Sequence, residues 1–128
     1  SKQHREELKI LITGDKPKNL LAGNSQSGAA AYSKPMTDLF EAVSERALSQ
    51  IVKDNPGRRI VLLSGLELGI EQAAARRALE MGIEVRAFIP YKEHGKNWSD
   101  EFQKRYRDLL GVIAEKGGSV VQVSDKEY

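Results

Sequence analysis

Short apolar runs alternate with amphipathic segments along this chain, and glycine or proline separates most of them. The apolar runs predict β-strands at Leu8–Thr13, Ile60–Ser64, Ile83–Ile89 and Ser119–Val123. Between them, apolar residues recur at the spacing that is typical of a helix with one core-facing side. The chain therefore predicts the order β-α-β-α-β-α-β, with no internal repeat and no linker.

Capping residues and breakers set the predicted helix ends. The first helix begins near Ser33-Lys-Pro35, because serine is a good N-cap and proline suits a first turn. The second runs from about Gly69 to Met81, and Asn97 or Ser99 caps the third. The predicted core-facing stripe of the first helix comprises Met36, Leu39, Phe40, Val43, Ala47, Ile51 and Val52. That of the third comprises Phe102, Tyr106, Leu109, Leu110 and Ile113.

Strands that alternate with helices indicate a parallel sheet with right-handed crossovers. We predict one α/β, Rossmann-like domain over residues 1–128, with about four parallel strands in the order 3-2-1-4 and helices on both faces. The uninterrupted apolar run Ile60–Leu63 is typical of a strand buried between two helical layers. Ligands of such sheets bind beyond the carboxyl ends of the strands, where the strand order reverses.

Composition narrows the classes of function. The chain has no cysteine, which excludes disulfides and thiolate metal sites, and its two histidines lie far apart, so we expect no metal. Twenty basic and eighteen acidic residues give a net charge of +2, which offers no strong attraction for nucleic acid or an anionic membrane. No apolar run is long enough to span a bilayer, and the polar start is unlike a signal peptide, so we predict a cytoplasmic protein.

Two glycine-containing turns follow the first two predicted strands. The first comprises Gly14, Asp15, Lys16 and Pro17, and the second comprises Ser64, Gly65, Leu66, Glu67 and Gly69. A strand that turns directly into a helix leaves unpaired N–H groups at the positive end of the helix, which suits a phosphate or a carboxylate. A tight βα turn without a ligand has the same sequence features. The convergence of both turns at one sheet edge favours the binding interpretation.

Individual residues of these turns fit two roles each. Ser64 suits either donation to a phosphate oxygen or capping of the turn that follows it. Lys16 either neutralises a phosphate or is an ordinary solvated loop lysine. Glu71 lies in the first turn of the second helix, where the helix dipole alone favours a carboxylate.

The polar, glycine-rich Asp15–Tyr32 loop is unusually long, and we predict it to be the most mobile internal segment.

Three segments share their order and spacing with a known family. Ile10-Leu-Ile-Thr-Gly-Asp-Lys-Pro17 is similar to an opening strand followed by a Thr-Gly-x-(Arg/Lys)-Pro turn. Leu63-Ser-Gly-Leu-Glu-Leu-Gly-Ile-Glu-Gln-Ala-Ala74 is similar to a Ser-Gly-x-x-Leu-Gly-(Val/Ile)-(Asp/Glu) motif. Ile89-Pro-Tyr and Gly95-Lys-Asn-Trp98 are similar to a strand end and the Lys-Asn-Trp that follows it. Together they resemble the YpsA-like branch of the SLOG superfamily, Rossmann-like domains that also include DprA/Smf and the LOG enzymes.

The chain departs from the family pattern in three places. Many relatives have histidine where Asp15 stands, and Gly-Ala where Leu66-Glu67 stand, and Glu67 adds negative charge beside the expected phosphate site. Family members also continue into another strand and a second glycine-rich turn, which complete the ligand pocket. Neither is found before Tyr128. We therefore expect either an incomplete pocket or a fragment of a longer protein.

The resemblance implies binding of a nucleotide or a derivative of the ADP-ribose or NAD type, without a metal and without required catalysis. It implies that Glu71 or Asp15 accepts a hydrogen bond from a ligand hydroxyl, and that Lys96, Asn97 and Trp98 form the second wall of the site. Asn97 also fits the role of an N-cap. Trp98 fits either a core anchor or a stacking platform for a base.

Three other functions stay open. A LOG-like enzyme would cleave the N-glycosidic bond of a nucleoside monophosphate with Glu67 or Glu71, although the Pro-Gly-Gly-x-Gly-Thr-x-x-Glu motif is missing from the chain. A DprA-like binder of single-stranded DNA would need a basic groove with stacking side chains, which the sequence does not offer. A scaffold would contribute only a protein interface, and Arg76-Arg77 beside alanines suit a subunit interface of a homo-oligomer.

Overall fold

Helices and strands alternate strictly in the computed structural model, which describes residues 6–13, 34–90 and 94–123. In these ranges the elements are β1 (Glu7–Leu11), α1 (Lys34–Asp54), β2 (Arg59–Ser64), α2 (Ile70–Glu80), β3 (Glu84–Ile89), α3 (Asp100–Glu115) and β4 (Ser119–Gln122). Within the described ranges the predicted element order is confirmed. Each predicted boundary that falls in the described ranges agrees within about two residues, the usual scatter of helix and strand ends.

Glycines end α2 and α3 by the same mechanism. After α3, Gly117 has a φ of 86°, and the N–H groups of Gly117 and Gly118 donate to the carbonyls of Ala114 and Ile113 at 3.2 and 2.9 Å. Gly82, at a φ of 78°, follows α2 in the same way. This pair of bonds is the Schellman motif, which satisfies the last carbonyls of a helix and turns the chain sharply.

The four strands are parallel, but their order is 1-2-3-4, so the predicted order 3-2-1-4 is wrong. β4 pairs with β3, with Ser119 opposite Arg86, and it does not cross back to β1. The reason lies in the turn after α3, where Gly118 packs directly against the Val85 carbonyl of β3. That contact delivers the next residue beside β3. The right-handed crossover rule fixes the hand of each connection and leaves its direction along the sheet undetermined.

The prediction of helices on both faces is also wrong for the described residues. Right-handed crossovers that all step in one direction place every helix on the same face. Side chains from all three helices accordingly join one core cluster with alternate residues of the strands. The strands contribute Leu8, Ile10, Ile60, Leu62, Val85, Ala87 and Ile89 to it.

The opposite face of the sheet carries a charged network at one end and apolar side chains at the other. Arg86 donates to Glu84 at 2.7 Å and to Glu7 at 2.8 Å, and Arg59 bonds both carboxylates. The hydrogen bond from Arg86 lowers the pKa of Glu7. Phe88 and Val121 are among the exposed apolar residues on this face.

The stripe predicted for α1 is partly wrong. Ser44 and Leu48 are its fully buried positions, whereas Leu39, Val43 and Val52 are exposed. Among the described elements, α1 lies at the end of the helical layer and packs against α2. On α3, Tyr106, Leu109 and Ile113 are buried as predicted. None of the described helices has the length and apolar character that crossing a membrane requires.

Candidate functional site

The carboxyl ends of β2 and β3 lie side by side, because Ser64 pairs with Ala87 in the parallel register. Ser64 is buried, and the following Gly65 passes beneath the carboxylate of Glu71. A Cβ atom on Gly65 would lie 3.4 Å from Glu71 Oε1 and 3.8 Å from the Phe88 carbonyl oxygen. The bare backbone of Gly65 thus lies between the β3 strand end and the first turn of α2.

Leu66 holds the turn in a conformation that leucine rarely adopts. Its φ is 56°, in the left-handed region, and its side chain is fully buried in the core. Its N–H donates to Ser64 Oγ at 3.0 Å, and its carbonyl accepts from Gln72 Nε2 at 2.9 Å. Ser64 therefore acts as a cap of the turn, and Leu66 points away from the sheet edge into the core.

The N-terminus of α2 has open donors. Gly69 precedes it with a φ of 98° and a ψ of −131°, and no side chain caps the helix. Gln72 and Ala73 donate to the carbonyls of Glu67 and Gly69 at 3.2 and 3.1 Å. The hydrogen bonds found within the described ranges provide no acceptor for the N–H groups of Gly69, Ile70 and Glu71. These N–H groups are the ones a helix offers to an anion.

Acidic side chains flank these donors. Glu71 Oε1 lies 3.4 Å from the N–H nitrogen of Glu67, which folds the Glu71 side chain back over the turn. A small cleft beside Gly69 brings Arg76 and Arg105 to the same helix end, with Thr37 and Phe40. Arg76 also bonds Glu41 at 2.9 Å, and Arg105 bonds Glu101 at 2.8 Å. Carboxylates and guanidinium groups therefore both lie near the N-terminus of α2.

A buried histidine joins this turn to the segment after β3. His94 Nε2 lies 3.7 Å from Glu67 Oε1. The His94 ring packs edge-on against Trp98 and Tyr106, with centroids 5.1 and 5.6 Å apart. Sequence reasoning missed His94 and Tyr106 as site residues. The position of His94 just beyond a strand end was the available signal, because functional residues of parallel sheets gather there.

Burial and the Glu67 carboxylate, in that order, raise the pKa of Tyr106 from 10 to about 12. Since the folded chain holds this proton more tightly than the unfolded chain, we expect stability to fall as pH rises from about 10 to about 12. Of the four tyrosines, one should ionise clearly last in a phenolate absorbance titration. Tyr106→Phe should remove that last step, and Glu67→Gln should lower its midpoint. A Glu80→Gln control should not move it, and four tyrosines titrating together near 10 would contradict the assignment.

Trp98 serves as a core anchor in this geometry. Gly95, at a φ of 84°, lies against the indole, and a Cβ on Gly95 would come within 2.6 Å of Trp98 Cε3. Tyr106 packs edge-on against the same ring at 5.3 Å. Lys96 and Asn97 are exposed, and Ser99, not Asn97, caps α3 by accepting from Phe102 N–H at 3.2 Å.

The structure brings together most of the predicted site residues that it describes. Ser64, Gly65, Leu66, Glu67, Gly69 and Glu71 form one turn, and the Glu67–His94 contact links it to Trp98, which packs against the His94 ring. Gly14, Asp15, Lys16 and Pro17 lie outside the described residues, as does the Asp15–Tyr32 loop. In the part of the chain that the structure describes, no three histidine, aspartate or glutamate side chains cluster as metal ligands would.

Comparison with known proteins adds no family assignment. No model of a known protein family matches the chain, and no curated protein sequence matches it. The interpretation of the site therefore rests on its geometry and on the motif resemblance.

Proposed function

We propose that this chain binds a phosphate-bearing nucleotide or nucleotide derivative, of the ADP-ribose or NAD type, at the N-terminus of α2. The observation that carries the proposal is the set of N–H groups of Gly69, Ile70 and Glu71, which lack an acceptor within the described residues. They lie beyond the carboxyl ends of β2 and β3, the end of a parallel sheet at which ligands bind. The described strand order 1-2-3-4 contains no reversal, so the helix N-terminus and not a sheet crevice carries the proposal. A phosphate on them would also interact favourably with the helix dipole.

The surrounding charges suit a nucleotide better than a simple anion. Arg76 and Arg105 line the cleft beside Gly69, where each guanidinium group is also paired with a carboxylate, that of Glu41 or Glu101. Glu71, which folds over the turn, offers a carboxylate oxygen to a ribose hydroxyl. A ligand with both phosphate and hydroxyl groups can use both kinds of contact, whereas inorganic phosphate has no ribose hydroxyl to donate to Glu71.

Replacing Ile70 by proline tests the proposed donors with little harm to the helix. Ile70 is the first residue of α2, a position that proline favours because its missing N–H is unpaired there in any case. The change removes one donor to the phosphate, a charge-assisted bond of about 1.5–3 kcal/mol. We expect calorimetric titration with AMP, NAD and ADP-ribose to show an affinity about tenfold lower or worse for at least one of them.

Ile70→Ala is the matched control, because it loses the same side chain and keeps the N–H group. It should bind within about threefold of the parent protein if backbone donation carries the affinity. Equal losses in both variants would point to the Ile70 side chain and contradict the phosphate site. Absence of heat with all three nucleotides in the parent protein would favour the scaffold interpretation.

The Glu67–His94 pair favours one second candidate, a LOG-like nucleoside-monophosphate N-glycosidase. Cleavage of an N-glycosidic bond develops positive charge on the ribose, which a nearby carboxylate can stabilise, and Glu67 Oε1 lies 3.7 Å from His94 Nε2. Chromatographic detection of free adenine from AMP would test this activity. Activity that persists in Glu67→Gln would exclude a catalytic role for this pair.

A further inference from the structure

A groove runs along α2, between α1 and α3. Because α2 packs much more closely on α1 than on α3, the helical layer opens between α2 and α3. The open space has a volume of about 570 Å³, which lies within the range of small-molecule sites. We call it the α1–α3 groove: it lies over Arg76 and Leu79 of α2 and is bounded by Glu41 of α1 and by Asp108 and Val112 of α3.

The α1–α3 groove continues from the small cleft beside Gly69. Thr37, Arg76 and Arg105 line both the cleft and the groove, so the two spaces adjoin. Along α2 the joined space extends from Gly69 to at least Leu79, which is a rise of about 15 Å. The donors at the start of α2 therefore lie at one end of a long depression, and the groove forms its other end.

The far end of the α1–α3 groove offers an apolar surface. Leu79 of α2 and Leu109 of α3 are almost fully buried there, and Val112 is 36% exposed. Leu109 and Val112 are three positions apart on α3, so their side chains are neighbours. A surface of this kind suits a flat, largely apolar ring, whose orientation is then fixed by a few polar groups.

The polar groups of the α1–α3 groove suit an uncharged part of a ligand. Among the described residues that line it, four are basic and four are acidic, so their formal charges balance. At its far end, Glu80 and Asp108 are exposed and pair with Arg77 and Lys104 of their own helices at 3.0 and 2.9 Å. Exposed ion pairs contribute little to stability. Both carboxylates can therefore accept hydrogen bonds from ligand hydroxyl groups at small cost.

We propose that the α1–α3 groove binds the second nucleoside of a dinucleotide whose phosphate lies on the donors of α2. This inference rests on the proposed nucleotide function and extends it to the length of the ligand. The base of a mononucleotide does not reach Leu79 from a phosphate at Gly69, whereas two nucleosides joined by a pyrophosphate span that distance. The second base would lie on Leu109 and Val112, and its ribose hydroxyls would donate to Glu80 or Asp108.

Calorimetric titration with NAD and with AMP tests the groove. We expect the parent protein to bind NAD at least about tenfold more tightly than AMP, because only NAD buries a second nucleoside. Val112→Glu places a charge on the apolar surface of the groove. It should weaken NAD binding about tenfold and leave AMP within about threefold of the parent.

Val43→Glu is the matched control for this variant. Val43 is also an exposed apolar helix residue, at 50%, but it lies on α1 and does not line the groove. The substitution changes the net charge equally and should leave the affinities for NAD and AMP unchanged. Circular dichroism should show the same helix content in all three proteins.

Ile70→Pro separates a failure of the groove from a failure of the phosphate site. A phosphate on the α2 donors requires this variant to weaken NAD and AMP alike. If it does so, but the parent binds both ligands equally or Val112→Glu leaves NAD binding unchanged, the groove is not a nucleoside site. Equal losses for NAD and AMP in Val112→Glu would also overturn it, because AMP should not reach Val112. No heat with either ligand in the parent would overturn the proposed function and this inference together.

Discussion

Gly118→Ala should destabilise this protein by about 3 kcal/mol or more, the upper range for an overpacked core. A Cβ at this position would lie 2.2 Å from the Val85 carbonyl oxygen and 3.0 Å from the Ile113 carbonyl oxygen. Both are backbone atoms, and Val85 and Ile113 are fully buried, so neither can move alone. The end of α3 would have to separate from β3, and β4 would move with it.

Gly111→Ala is the matched control for this prediction. Gly111 lies within α3, and a Cβ there meets nothing within 4 Å. Alanine at an exposed helical position should stabilise the fold by about 0.5–1 kcal/mol, because glycine is the poorer helix former. Urea unfolding followed by circular dichroism measures both changes. Similar effects of the two substitutions would contradict the close packing of Gly118 on β3.

The same glycine explains why the sequence pattern predicts the wrong strand order. The two glycines Gly117-Gly118 mark the end of α3 in the sequence, since glycine follows the last turn of many helices. The pattern did not reveal that Gly117 is required for its positive φ whereas Gly118 is required for contact with β3. That contact places β4 next to β3, and it depends on atoms distant in sequence. Local patterns predict where elements begin and end, whereas the neighbour of an edge strand depends on tertiary packing.

The sequence pattern also predicts helices on both faces of the sheet, whereas the described helices all pack on one face. The apolar run Ile60–Leu63 favoured burial on both sides, and Val61, on the face away from the core cluster, is indeed fully buried. The neighbouring strands place Glu7, Glu84 and Arg86 on that same face, where they form ion pairs. Charged residues at alternate positions of β3 were visible in the sequence, and they were the signal that helices do not cover both faces.

The residues of the candidate site, like the fold, could be predicted from the sequence only in part. The motif in β2 and α2 predicted which residues form the turn, and the structure places them together. Ser64 and Glu71 each fitted two roles in the sequence, and their hydrogen bonds to Leu66 and Glu67 now indicate that both support the turn itself. His94 joins the site through a contact with Glu67, 27 positions earlier in the chain, which no local pattern encodes.

Leu66→Ala should cost about 3 kcal/mol of unfolding free energy, because it leaves a cavity in the core. The side chain is fully buried and packs in the cluster shared by the helices and the sheet. Leu66→Gly should cost no more than Leu66→Ala, although glycine is usually the more destabilising residue. At a φ of 56°, alanine keeps the strain of the left-handed conformation, about 1 kcal/mol, and glycine relieves it.

Leu48 provides the matched pair for this comparison. It is also fully buried, but it lies within α1, where glycine should be worse than alanine by about 1 kcal/mol. We therefore expect the glycine variant to be less stable than the alanine variant at position 48. At position 66 we expect the glycine variant to be equally stable or more stable. Urea unfolding of the four variants gives these differences without knowledge of the absolute stability. If glycine is worse than alanine by the same amount at both positions, Leu66 does not hold a left-handed conformation in solution, and the donors at the start of α2 are not preorganised.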